Sequence, residues 1–191
     1  KKIKAELAKL MEQDREKYEK FYAAFGMQIK YGVLNDYGAK KELLQDLLLY
    51  WSHKQNKLVS FKEYVDAMPE EQKYIYFASG ENRQRLSQLP QLEKLGEKGF
   101  DVLLMTDEVD SFVPQTLGKY AEKDFRSVTQ EDLGLSTDEE KKEAAEQAEK
   151  SKATLEFVKT TLGDDVKEVR LSENLGTHPV CMVPEEGMTF E

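Results

Sequence analysis

A chain of 191 residues has room for one domain, or one and a fraction. Its 37 acidic residues outnumber its 28 basic ones, and the net charge of −9 excludes a dedicated nucleic-acid binder, whose affinity rests on cations meeting phosphates. No apolar run approaches the roughly 20 residues of a membrane span, and one cysteine excludes an internal disulfide framework and fits a reducing cytoplasm.

The opening third is patterned as helix. Ile3, Leu7, Leu10, Met11, Tyr18, Phe21, Tyr22 and Phe25 recur at three- and four-residue spacing with Lys and Glu between them. Gly26 is a candidate break, and Asn35, Asp36 and Gly38 make a second punctuation. Leu43, Leu44, Leu47, Leu48 and Trp51 then predict a further amphipathic helix, so residues 1–57 are expected to be an all-helical connector.

The middle alternates strands with helices. Ser60 and Glu63 have the spacing of a capping box, which starts a short helix that ends before Pro69. Tyr74–Ala78 is a compact run of strand formers. Pro90 suits a helix first turn, and Gly99 suits the cap that closes it. Phe100–Met105 is the next strand, a helix is expected over about Val109–Leu117, and Phe125–Val128 is a third strand. The predicted fold class is therefore α/β, with a small parallel-sheet sandwich over residues 58–130.

Composition changes at Thr129. Eight acids stand against three lysines up to Lys150, without aromatics, which predicts an acidic linker and exposed helix start over 131–150. Leu155, Val158 and Leu162 are expected to bury one helix face. Val166, Val169 and Leu171 then predict a strand, with Val180–Val183 as its partner, as the start of a second α+β domain over 151–191. The chain opens inside a helical pattern and stops without a terminating signal, so it is expected to be a fragment.

Candidate chemistry is sparse. The two commonest glycine loops that cradle phosphate are absent from the sequence. Asp107, Glu108 and Asp110 fall at the end of the second strand, the edge where open α/β sheets bind ligands. They can hold Mg²⁺ through carboxylate oxygens, or Asp107 can cap the next helix while Glu108 and Asp110 favour its positive end. His178 and Cys181 have metal-like spacing, but zinc takes four ligands and the one other histidine, His53, falls in the helical third. A Cys–His nucleophile pair here has no orienting third group.

Phe112 follows these acids, with Val109, Val113 and Pro114 close by. Positions 109, 112 and 113 share a helical face, whereas Ser111 and Gln115 point elsewhere. Phe112 either packs on the sheet or faces outward as an anchor of a binding surface.

Several of these segments, in order, resemble the heat-shock protein 90 chaperone family of the bacterial HtpG type. They are Phe21–Gly26 with Ile29–Val33, Tyr64–Glu70 with Gln72–Lys73, Ile75–Tyr76 up to Gly80–Glu81, Gly99–Asp107 with Val109–Asp110, and Leu162–Val166 with Val169–Ser172. The resemblance implies the later middle domain and the start of the C-terminal domain of a cytoplasmic ATP-dependent chaperone that works as a homodimer. It places the N-terminal ATP site, the Mg²⁺ that serves it, the catalytic arginine loop and the C-terminal dimerisation helices outside this chain. No catalytic, cofactor-binding or metal residue is therefore carried over, and the fragment is expected to be a monomer that hydrolyses nothing. In bacterial members a tryptophan at the position of Phe112 takes part in binding unfolded clients. The implied client surface is Phe112 with Val109, Val113, Ser111 and Gln115. Two other readings stay open, a Mg²⁺-dependent phosphotransfer or hydrolase domain built on Asp107 and Asp110, and a scaffold without a client surface.

Overall fold

The computed structural model describes residues 2–130, 133–135, 138–172, 179, 180 and 182, of 138–145 the backbone alone. Helix α1 (Lys2–Gln13) gives way to α2 (Arg15–Gly38) at Asp14, whose side chain accepts the Lys17 amide hydrogen at 3.2 Å. The break falls there and not at Gly26, because Asp can cap the new helix. Gly26 serves packing. A Cβ on it would stand 2.9 Å from the Tyr22 ring. The second punctuation does end the helix, with Asp36 and Tyr37 in left-handed conformation at φ 52° and 53°.

The expected helix over Leu43–Trp51 does not form as such. Helix α3 (Lys41–Leu44) and a 3₁₀ turn (Gln45–Leu47) lead into strand β1 (Leu49–Ser52), which pairs antiparallel with β2 (Lys57–Ser60). Leu48, Leu49 and Tyr50 are all buried, so side chains on both faces of this segment leave water. A run apolar on both sides suits a strand between two layers better than a one-faced helix. His53 lies exposed in the turn of this hairpin, not on a helix.

Ser60 and Glu63 form the expected capping box, with Glu63 N donating to Ser60 Oγ at 3.2 Å and Ser60 N to Glu63 Oε2 at 2.7 Å, and start α4 (Phe61–Asp66). Then come β3 (Ile75–Ser79), α5 (Arg83–Leu86), α6 (Pro90–Glu97) and β4 (Val102–Met105). Gly99 closes α6 at φ 74°. A 3₁₀ turn (Glu108–Ser111) and α7 (Val113–Leu117) follow, then β5 (Lys119–Tyr120) and β6 (Lys123–Ser127). The sheet order is β2-β1-β4-β3-β6-β5. Strands β4, β3 and β6 are parallel, as expected, while β1, with β2 outside it, and β5 pair antiparallel on either side and make the six-stranded sheet mixed.

Alternation along the central strands divides the core. Ile75, Leu103 and Met105 face Val33, Phe61, Tyr64, Val113 and Leu117 of α2, α4 and α7. Tyr76, Ala78, Val102 and Leu104 face Leu86, Leu92 and Leu95 of α5 and α6. A third cluster joins Tyr18 and Tyr22 of α2 to Leu49, so two of the four helical aromatics are core, whereas Phe25 is exposed.

The acidic segment is not solvated throughout. Leu133 and Leu135 are buried against the second face of the sheet, and the Tyr76 hydroxyl donates to the Leu133 carbonyl at 2.6 Å. Helix α8 (Asp138–Leu162) buries no face of Leu155, Val158 and Leu162, the last two being 36% and 43% exposed. Among the described residues no strand forms over 166–172, and Val180 is exposed. Cys181, Val183 and His178 lie outside the described residues.

Candidate functional site

Strand β4 delivers the chain to a tight turn at its C-terminal end. Asp107 begins it with extended backbone, and its amide donates to Asp110 Oδ2 at 3.0 Å, while Ser111 Oγ donates to the Glu108 carbonyl at 3.1 Å. Carboxylates three residues apart at a helix start close such a turn on themselves. Pro114 then pre-sets the first turn of α7, and the Thr116 amide donates to the Phe112 carbonyl at 2.9 Å.

This backbone sorts the five candidate residues. Val109 and Val113 are buried, Val113 within the core under α2. Phe112 is 58% exposed, Gln115 is exposed and Ser111 half-buried. The three residues that the fold leaves accessible are therefore Phe112, Gln115 and, in part, Ser111. An aromatic ring held outward by two valines pointing inward cannot retreat without undoing the turn.

Sequence reasoning missed the residue beneath the turn. Lys30 of α2 is 4% exposed, and its ammonium stands 2.6 Å from Asp107 Oδ2 and 2.7 Å from Asp110 Oδ1. The same cation lies 4.7 Å from the centroid of the Tyr50 ring on β1, a cation–π distance. Its place in the helix was the available signal. Tyr22, Gly26, Lys30 and Val33 fall on one buried stripe of α2, where a lysine requires a partner.

Electrostatics follow from that burial. Asp110 lies fully out of water, and desolvation pushes its carboxyl above the ordinary carboxylate range against the opposing pull of Lys30. The Tyr50 hydroxyl is pushed well above its usual value, first by burial and then by the Asp110 charge. A cavity of about 150 Å³ lies beside the pair, lined among others by Tyr22, Tyr50, Trp51 and Arg83. The Arg83 guanidinium sits 3.9 Å over the Trp51 ring.

Asp107 and Asp110 thus face an ammonium, the charge that a Mg²⁺ ion would have to displace. Among the described residues no group of three or more His, Cys, Asp and Glu side chains is placed to hold a metal ion. No described helix is long and apolar enough to cross a membrane.

Comparison with known proteins covers nearly the whole chain. Residues 1–189 match the family model described as Hsp90 protein. The chain is 49% identical over 191 residues to the chaperone protein HtpG of Bacillus subtilis, covering all of this chain and 30% of that protein. It is 46% identical over 190 residues to the chaperone protein HtpG of a Clostridium botulinum strain, again covering 100% of this chain and 30% of the relative. The chain therefore spans about 30% of the length of these curated relatives. Among solved structures, the middle domain of a Plasmodium falciparum heat shock protein superposes with a TM-score of 0.60 at 31% identity, over 65% of this chain and 52% of that one.

Proposed function

The chain belongs to the Hsp90 family, and from that premise we propose that it contributes a client-binding surface to an ATP-dependent chaperone. Its ligand is an unfolded or partly folded polypeptide, bound through Phe112 with Gln115 and Ser111 at its rim. The observation that carries this reading is the outward Phe112 ring, 58% exposed between two buried valines. An exposed ring on a fixed turn can cover apolar groups of many sequences at about 25 cal/mol per Å², which suits broad and weak recognition.

The rest of the cycle belongs to other parts of the chaperone. ATP and Mg²⁺ act in an N-terminal ATPase domain, and C-terminal helices make the homodimer, so residues 1–191 work here as a non-catalytic, monomeric piece of a cytoplasmic machine. Residues 1–57 are its helical connector, which lends β1 and the first residue of β2 to the sheet, and 58–130 the α/β unit. Residues 131–150 are the acidic linker, whose Leu133 and Leu135 pack on that unit, and 151–191 the opening of the C-terminal domain.

The test is the affinity of this chain for a reduced, carboxymethylated polypeptide that cannot refold, read by fluorescence anisotropy. Phe112→Ala is expected to weaken binding by about 1–2 kcal/mol, roughly 5- to 30-fold, with the urea midpoint unchanged. An unchanged affinity, or a variant that unfolds, would place client binding elsewhere.

A further inference from the structure

We infer that Lys30 is a positioning residue for client binding: its buried ammonium clasps Asp107 and Asp110 and so fixes the turn that aims Phe112 outward. The inference rests on the client-binding reading of Phe112 and adds to it a control point on a different element, 77 positions away in sequence from Asp107.

Apart from the burial of Val109 and Val113, the turn has few bonds of its own. It is a single 3₁₀ turn of four residues, too short for a cooperative helix. The closure at its start uses Asp110 Oδ2, accepting the Asp107 amide hydrogen, while Oδ1 of the same carboxylate meets Lys30. Rotating Asp110 therefore breaks both contacts at once. Phe112 follows two residues later as the cap of the turn, its amide donating to the Val109 carbonyl at 3.1 Å.

Stability alone is a poor reason for this ion pair. A buried pair replaced by well-packed neutral groups is often as stable or more so, since the charges must be taken out of water. What a pair buried in this way does supply is a single geometry, because an ammonium between two carboxylates and the Tyr50 ring has one place to be. That geometry is what an outward ring needs if it is to bind without first being ordered.

The experiment places 4-fluorophenylalanine at position 112 alone and compares the wild-type chain with Lys30→Met/Asp110→Asn, which removes both buried charges together and leaves neither unpaired. Three quantities are read: the urea midpoint, the ¹⁹F resonance of residue 112, and the affinity for the carboxymethylated polypeptide. The expected result is a folded protein whose ¹⁹F resonance broadens or splits and whose affinity falls fivefold or more. A merely structural pair would instead return resonance and affinity along with the fold. A resonance like that of the wild type, or an affinity within twofold of it, overturns the inference. Should the double variant fail to fold, Asp107→Ala opens only the half-exposed arm of the clasp. It is then expected to broaden the resonance and weaken binding about twofold, and no change in either overturns the clasp. Phe112→Ala separates the two readings: if it leaves affinity untouched, the client-binding reading fails, and the ¹⁹F resonance alone then decides whether Lys30 positions the ring.

Discussion

The hydroxyl of Tyr64 on α4 accepts a hydrogen bond from the backbone amide of Tyr76 on β3 at 3.1 Å. The same oxygen, on a buried side chain, donates to the Asp101 carbonyl and accepts from Gln72 Nε2 at 2.9 Å. One side chain so joins a helix, the central strand and the loop that starts β4. Burial raises the Tyr64 pKa beyond the range in which the phenol ionises in ordinary buffers, so the hydroxyl stays a donor. Tyr64→Phe keeps the ring and removes these bonds, leaving an amide and a side-chain donor buried without their acceptor. A loss of about 2–3 kcal/mol is expected in urea unfolding. A variant as stable as the wild type would show that the oxygen is dispensable.

Gly26 gives a prediction against the usual direction. Alanine in a helix interior normally stabilises by about 1 kcal/mol relative to glycine. Here the new methyl would meet the Tyr22 ring at 2.9 Å, and that ring is packed in the cluster with Tyr18 and Leu49. Gly26→Ala is expected to destabilise by about 1–3 kcal/mol through overpacking. Gly96→Ala in α6, where nothing lies within 4 Å, is the control and should stabilise slightly. Equal effects of the two substitutions would remove the packing argument.

Glu63 links stability to pH. Burial would raise its carboxyl, but the Ser60 amide and the Arg15 guanidinium outweigh burial and hold it below its ordinary value. Arg15 reaches its two oxygens at 2.9 and 3.1 Å. A depressed carboxyl contributes stability above its unfolded pKa, roughly 4.3, and loses it as pH falls through the folded value. Since the side chain is 46% exposed, screening limits the gain to about 1 kcal/mol or less. The stability gap between the wild type and Glu63→Gln should therefore be present at pH 6 and shrink as pH falls below the unfolded carboxyl value. A gap that widens on acidification would reverse the sign argued here.

Local signals account for what the sequence made legible. The Ser60–Glu63 box, the Pro90 start and the Gly99 stop each depend on a few adjacent residues, and the structure has all three. The runs at Tyr74–Ala78 and Phe100–Met105 are buried on both faces and so stand out as strands. The run through Leu48–Trp51 carried the same signal, yet its leucine spacing also fits a helix, and only the partner strands β2 and β4 decide between them. Leu133 and Leu135 were hidden by the acids around them, because two apolar residues suffice once a sheet face lies ready to receive them. Lys30 was hidden for another reason. Its place on the buried stripe of α2 signals that a partner is required, but the partners lie far along the chain and no local pattern says which they are.

The outward ring at position 112 should gain from size. Phe112 is 58% exposed on a turn whose two valines carry the packing, so a larger aromatic can stand there without meeting the core. The resemblance to bacterial chaperones of this family implies tryptophan at this position, and its larger ring offers on the order of 40 Å² more surface for a bound segment to cover. At about 25 cal/mol per Å² that amounts to about 1 kcal/mol, or roughly fivefold tighter binding. Phe112→Trp is therefore expected to bind the carboxymethylated polypeptide about fivefold more tightly, with the urea midpoint unmoved. Gln115→Ala, also exposed but polar, should change the affinity by no more than about twofold, as rim contacts usually do. If tryptophan weakens binding while the fold is intact, the ring inserts into a site of fixed size, and recognition at this turn is narrower than a chaperone surface requires.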